Sequence, residues 1–321
     1  MDSELIVKHK LLNVFQSAAL LIILAALMTY IAWAIAGEFL AWIAFALVLF
    51  LYFSNPVITP QFILKMYSAR PIGIHEAQPI HQLVQAIAQR AGLKHVPKLF
   101  YIPSRVINAF ALGSSDDSIV AISDGVLRKL NLEELAAILA HEITHVKNND
   151  IRVMTFADIA GRITKILSLL GQILIFVNLP LILFTNMQLN WIPLLIMVFA
   201  PLVSDFIQLG LSRVREYDAD LGSAILLGDA RPLASALAKM EYYQHNILGG
   251  LFVPIQKIPE PSLLRTHPPT EERIRRLLEF GKTAHLEPLS QRINLYQDEL
   301  PVHTLTRRVH NPRRRFTGFW Y

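Results

Sequence analysis

Leu11–Ala36 reads LLNVFQSAALLIILAALMTYIAWAIA, and its 26 residues contain no Asp, Glu, Lys or Arg. A span of about 20 apolar residues crosses a bilayer as a helix. Gly37 and Glu38 follow, and then a second uncharged run, Phe39–Phe53, with Trp42 and Tyr52 suited to its two interfaces. Together they predict a transmembrane helical hairpin. A secretory signal would have a shorter apolar stretch and a small-residue cleavage site. Two further apolar blocks lie downstream, Ile166–Phe184 and Trp191–Leu211, the second containing the lone acid Asp205. They predict a second hairpin, although Pro180, Pro193 and Pro201 interrupt them.

The rest of the composition agrees with this. Of 321 residues, 53% are hydrophobic and only 17% charged, below the roughly 25% charge of a soluble domain. The net charge of +5 fits a membrane-surface protein and gives little support to nucleic-acid binding. There is no cysteine, which excludes disulfides, cysteine–zinc sites, iron–sulfur clusters and a cysteine nucleophile. The hairpin turns Gly37–Glu38 and Asn186–Asn190 hold no Lys or Arg. The N-terminal segment, the residues between the hairpins and those after the second hairpin hold all thirty. The excess of cationic residues on the cytoplasmic side predicts that both termini and both polar segments face the cytoplasm. A transporter is disfavoured, because the spans carry almost no ionisable groups.

The first polar segment reads as α+β. A helix is expected over His75–Ala91, stopped by Gly92. Strands are expected at Lys98–Ile102, Val106–Leu112 and Ser118–Ile122, with a turn at Gly113–Asp117. Asn131, with Glu134 three residues on, resembles a capping box opening another helix, anchored by a stripe of Leu135, Ile138 and Leu139.

That helix contains His141-Glu142-Ile143-Thr144-His145, an H-E-x-x-H motif. Residues four apart share one helical face, so both imidazoles can bind one metal ion. Glu142 beside them can take a proton from a water that the ion acidifies. Catalytic zinc needs a third protein ligand and an open position. No glycine and third histidine follow at the metzincin spacing. After the fourth block comes Arg213-Val214-Arg215-Glu216-Tyr217-Asp218-Ala219-Asp220, where Glu216 and Asp220 share a helical face. Glu216 fits a metal ligand, and Asp220 fits a carboxylate that fixes a ligand histidine's tautomer.

This arrangement resembles the HtpX-type membrane zinc metalloproteases, relatives of the CaaX prenyl proteases. Asn108–Gly113 (NAFALG) resembles that family's N-A-F-x-x-G segment, and Thr266–Ile274 (THPPTEERI) its S/T-H-P-x-x-x-x-R-I segment. The resemblance covers roughly residues 10–280. It implies one zinc ion per chain, held by His141, His145 and Glu216, with Glu142 as general base and Asp220 orienting a ligand. It implies substrate binding at Asn108 on an edge strand. His267 and Arg273 would lie near the cleft, serving the oxyanion or the fold.

The expected fold is a mainly α integral membrane protein. It has four transmembrane helices and a cytoplasmic zincin-like α+β metalloprotease domain with a small antiparallel sheet. The expected organisation is a cytoplasmic N-terminus (1–10), hairpin 1 (11–53), the first protease segment (54–165), hairpin 2 (166–211), the second protease segment (212–280) and a basic tail (281–321). The expected function is zinc-dependent endopeptidase in quality control of misfolded membrane proteins, in a bacterial inner membrane. Its partners are the lipid bilayer and polypeptide substrates, not nucleic acid, and a homo-oligomer is compatible with the sequence. The alternatives are a CaaX-type prenyl endoprotease and a zinc-binding membrane scaffold without catalysis.

Overall fold

The computed structural model describes residues 2–54, 60–184, 191–249 and 268–283. The expected turn at Asn186–Asn190, His267 and the tail from 284 onward lie outside the described residues. The chain divides into two compact units. One comprises Val57–Ile151 and Arg215–Tyr321 with Met1–Ile6; the other comprises Val7–Pro56 and Arg152–Val214.

In the second of these units, helix α1 (Asp2–Ser54) is broken at Ala36 and Gly37. Gly37 has φ 72°, a left-handed conformation that glycine adopts without a Cβ penalty. Across the break, Met28 and Ala32 pack with Ala44 and Val48, and with Phe156 of α6 (Asp150–Phe184). The two halves of α1 therefore lie side by side, turning where Gly37–Glu38 was expected to turn. Helix α7 (Trp191–Leu227) packs on α6. Both long helices run through their internal prolines, Pro180 and Pro201, without ending. Among the described residues, three helical stretches are long and apolar enough to cross a membrane: Leu11–Ser54, Asp150–Pro180 and Trp191–Leu227. Large apolar side chains point outward here, while Thr164, Ser168 and Ser204 are fully buried. Ser168 Oγ donates to the Met197 carbonyl, and Gly161 lies against Ser204 and Gln208. Small residues at such contacts let helix backbones approach.

The other unit has the opposite organisation. Its elements are α2 (Pro60–Met66), β1 (Arg70–Pro71), α3 (Gln78–Ala91), β2 (Lys98–Ile102), β3 (Ala109–Gly113), β4 (Ser118–Ser123), α4 (Asp124–Lys129), α5 (Leu132–Lys147), the last turns of α7, α8 (Arg231–Gly249) and α9 (Thr270–Thr283). The periodic apolar residues of α3, Ile80, Leu83, Val84 and Ile87, are buried against Leu135, Leu139 and Ile143 of α5. Full burial of each such side chain contributes about 1.5–3 kcal/mol. Gly92 ends α3 in the left-handed conformation, as its position suggested.

The sheet order is β1-β2-β4-β3. The expectation of an antiparallel sheet is corrected: the sheet is mixed, with β2 parallel to β4 and the other pairs antiparallel. The reason is topological. The turn after Gly113 folds β4 back antiparallel onto β3, and the loop after β2 carries β3 beyond β4. β2 and β4 are left running in the same direction. Among the described residues, β3 is consequently an edge strand. Ser123 N–H donates to the Asn108 carbonyl, so by alternation the amides of Ala109, Ala111 and Gly113 face the open edge.

Candidate metal centre

Helix α5 begins where its signals placed it. Asn131 Oδ1 accepts from Glu134 N–H at 2.8 Å, and Glu134 Oε2 accepts from Asn131 N–H at 2.9 Å. The Glu134 carboxylate also takes Ser235 Oγ at 2.6 Å and Lys239 Nζ at 2.8 Å, which fastens α5 to α8. The last turns of α7 lie flush on α5. Ser223 Oγ donates to the Ala137 carbonyl at 2.8 Å. A Cβ on Gly222 would fall 2.3 Å from Thr144 Cγ2, so only glycine allows this approach. These contacts bring Glu216 and Asp220 beside the two histidines of α5.

His141 Nε2 and His145 Nε2 stand 3.1 Å apart. The Glu216 carboxylate lies 3.5 Å from the first and 3.7 Å from the second. One ligand atom from each of the three lies within 4.8 Å of the others. Two donors bound about 2.1 Å from a tetrahedral ion stand about 3.4 Å apart, close to these three separations.

Proton bookkeeping supports the same fit. His141 Nδ1 lies 3.1 Å from Asp220 Oδ1, and His145 Nδ1 lies 2.8 Å from Asp150 Oδ2. An ionised carboxylate only accepts, so Asp150 and Asp220 stand where each draws a proton to the Nδ1 of its histidine, and both Nε2 atoms turn toward one point. Two ring nitrogens and a carboxylate so close require a cation among them. A proton can fill that demand. Burial opposes charge on His141, but Asp220 and Glu216 outweigh it and push its pKa up to about 10. A divalent ion fills the demand with all three donors at once.

Arg273 of α9 closes the far side. Its Nε and Nη2 donate to both oxygens of Asp220, at 2.8 and 2.6 Å, and its Nη1 lies 3.2 Å from Glu216 Oε2. It is 5% exposed. Burial disfavours its charge, but Asp220, Glu216 and Glu142 hold it protonated. Sequence reasoning left Arg273 between oxyanion and fold; the structure places it on the two carboxylates. Glu142 Oε2 accepts the N–H of Ala111, on the open edge of β3, at 2.9 Å. Asn108 immediately precedes β3, its N–H donating to Ser123 Oγ at 3.0 Å. Asp150 was missed. It follows Asn149, whose φ is 55°, and it accepts from Arg215 Nη1 at 3.1 Å on its other oxygen. The available signal was an acid just past the helix end, on the side of the last ligand.

A buried His–His–carboxylate group on two helices, with a second carboxylate held at an open strand edge, defines a metallopeptidase type of centre. The chain belongs to peptidase family M48, whose family model matches residues 75–280. It is similar to the protease HtpX homolog of Pyrococcus furiosus, 34% identical over 286 residues, covering 82% of this chain and 94% of the relative. The corresponding protein of Acaryochloris marina is 37% identical over 240 residues, covering 71% and 80%. That of Desulfatibacillum aliphaticivorans is 35% identical over 283 residues, covering 83% and 89%. Among solved structures, Ste24p of S. mikatae matches with a TM-score of 0.43 and 22% identity, over 84% of this chain and 66% of that one. The protein is thus an M48 metalloprotease and an integral membrane protein.

Proposed function

We propose that the chain is a zinc-dependent endopeptidase of a bacterial inner membrane, acting on misfolded membrane proteins from the cytoplasmic side. The observation that carries this reading is the convergence of His141, His145 and Glu216 beside Glu142, with Glu142 held at the free edge of β3. Two imidazoles and a carboxylate suit zinc. Bound by these three residues, zinc supplies Lewis acidity toward a carbonyl and lowers the pKa of a water.

The protein's own groups do the rest. Glu142 Oε accepts the proton of the attacking water and returns it to the departing amine. Ala111 N–H steadies that carboxylate beside the edge where a substrate backbone adds as a further strand, with Asn108 at the start of that edge. Asp220 and Asp150 hold the Nδ1 protons, which keeps both Nε2 lone pairs turned inward. Arg273 balances the charge of Glu216 and Asp220 and fixes both. The break at Gly37 supports reading α1 as two spans, which gives four in all. The thirty basic residues outside the hairpin turns favour a cytoplasmic centre.

The test is metal analysis of purified protein together with casein proteolysis, with and without chelator. One zinc per chain, and activity lost with the chelator and restored by zinc, are expected. Glu216→Ala should lose both metal and activity. Full metal occupancy in that variant would remove Glu216 from the site. A reporter fused after Asn186 should read as outside the cytoplasm, and a cytoplasmic signal would overturn the four-span arrangement.

A further inference from the structure

The unit that holds the metal centre also has an open pocket of about 500 Å³, lined by the exposed Arg105, Arg128 and Lys129 and by Ile107, Asp124, Gly125 and Tyr243. Its charges do not cancel. Asp124 is fully buried and already satisfied, accepting Tyr101 Oη at 3.0 Å and Arg128 Nε at 2.7 Å. Among the described residues, Arg105 and Lys129 have no carboxylate partner. Lys129 Nζ sits 4.7 Å from the centroid of the Tyr243 ring, a contact that uses its charge and occupies none of its N–H groups with an oxygen. Ile107 and the Tyr243 ring add apolar walls. Such a pocket suits a carboxylate carried on an aliphatic stem.

Its position says where that carboxylate comes from. Arg105 and Ile107 lie just before Asn108 and the start of β3. Asp124 and Gly125 directly follow Ser123, whose N–H pairs with the Asn108 carbonyl. The pocket therefore lies at the end of the sheet where the open edge begins. We propose that it is a specificity pocket for an acidic residue of the polypeptide substrate, a proposal that rests on β3 being the substrate edge. Antiparallel pairing is slightly the more stable. β3 begins at Ala109, and the chain before it bends at Arg105 and Val106, where Gly125 N–H donates to the Ser104 carbonyl. A strand added antiparallel to β3 therefore runs past Ala109 and Asn108 toward the pocket with residues that follow, in the substrate, the one beside Ala111. At about 3.3 Å per residue, it reaches the pocket roughly three to four residues further along. The preferred substrate carries Glu or Asp there, on the C-terminal side of the cut.

Binding tests this separately from cleavage. Full-length Glu142→Gln protein, loaded with zinc in neutral detergent, is titrated with labelled peptides carrying Glu, Gln or Lys at each position around one fixed cleavage sequence. Glu at the stated positions should bind about tenfold more tightly than Gln, as one charge-assisted contact would give. In Arg105→Glu/Lys129→Glu that ratio should fall to about one, and Lys should become the tighter choice. No Glu advantage in the unaltered pocket, or an advantage that survives the double substitution, overturns the proposal. So does an outcome in which only phosphatidylglycerol vesicles, compared with phosphatidylcholine, distinguish the two pockets, since that marks a lipid phosphate site. If the zinc-loaded parent cuts none of the peptides, the protease reading fails, and the binding ratios still decide the pocket.

Discussion

The two units of this chain bury opposite things. In the unit with the metal centre, Asp124, Glu134, Asp150, Asp220 and Arg273 are all inside, and each has a partner of opposite charge. In the unit of long helices, Phe39 is 78% exposed and Phe176 75%, while hydroxyls and glycines make the interior contacts. Water and lipid account for the inversion. A charge taken from water needs a partner and hydrogen bonds. A phenylalanine facing hydrocarbon loses nothing by exposure, so helices there associate by close packing and shared hydrogen bonds. One unit should accordingly fail by losing charges, the other by losing fit.

The largest effect should come from a charge that the fold hardly needs. Glu142→Gln keeps the size and can still accept from Ala111 N–H, but it cannot take a proton. Peptide hydrolysis should fall by about 10²–10⁴-fold with zinc content and fold unchanged. Equal turnover at matched zinc content would remove Glu142 from the chemistry. Arg273→Met should be almost as severe, through stability. It leaves Asp220 and Glu216 buried without their cation, a loss of about 3–5 kcal/mol for a broken buried pair. The contrast between units supplies the readout. The described tryptophans Trp33, Trp42 and Trp191 all belong to the long-helix unit. Protease susceptibility of the Arg273→Met protein should rise well before its tryptophan fluorescence changes. Simultaneous change would mean that the two units do not unfold separately.

Asp150→Ala should be milder. It frees His145 to rotate but removes no ligand, so zinc affinity should drop about 10–100-fold, measured by competition with a chelator. In the other unit, Gly161→Leu should disturb fit alone. The Gly161 position faces Gln208 and Ser204, and overpacking of this kind costs about 1–3 kcal/mol. Tryptophan fluorescence should register it in denaturant titrations while zinc content stays equal to the parent's. Smallest of all is an acid effect. Burial raises the Glu134 pKa, but Lys239, Ser235 and the Asn131 N–H outweigh it and hold it below the usual value. A depressed carboxylate contributes stability above its unfolded pKa of about 4.3, and loses it as pH falls through the folded value. The stability gap between parent and Glu134→Gln should therefore be full near pH 7 and shrink below about pH 4. A gap that does not change with pH would show that the carboxylate's charge is not what fastens α5 to α8.

What could be read from the sequence follows how local each signal is. Asn131 through His145 packs a cap, an apolar stripe and a ligand pair into fifteen residues, and the helix forms as read. The Glu216–Asp220 spacing gave their shared face, because helical periodicity needs no knowledge of the partner. The mixed sheet was not legible, since the pairing of β2 with β4 depends on which side of β4 the intervening strand takes. β1, at two residues, is too short to show a pattern. The partner of Arg273 lies 53 residues away, and nothing in Thr266–Ile274 points to it. Asp150 was hidden for a different reason. Its approach to His145 depends on the left-handed Asn149, and a helix-end acid normally reads as a surface charge.

The kink at Asn149 also sets an order of assembly. His145 and Asp150 are five residues apart, so the chain can bring them together by a local turn, on the fast timescale of short loop closure. His141 has no such neighbour and waits for Asp220, far along the chain on α7. One histidine is oriented as its helix ends, and the other only when a distant helix arrives. During refolding without metal, amide protection around Asn148–Ile151 should precede protection at Glu216–Asp220. Zinc added at intervals during refolding should be captured only after the later event.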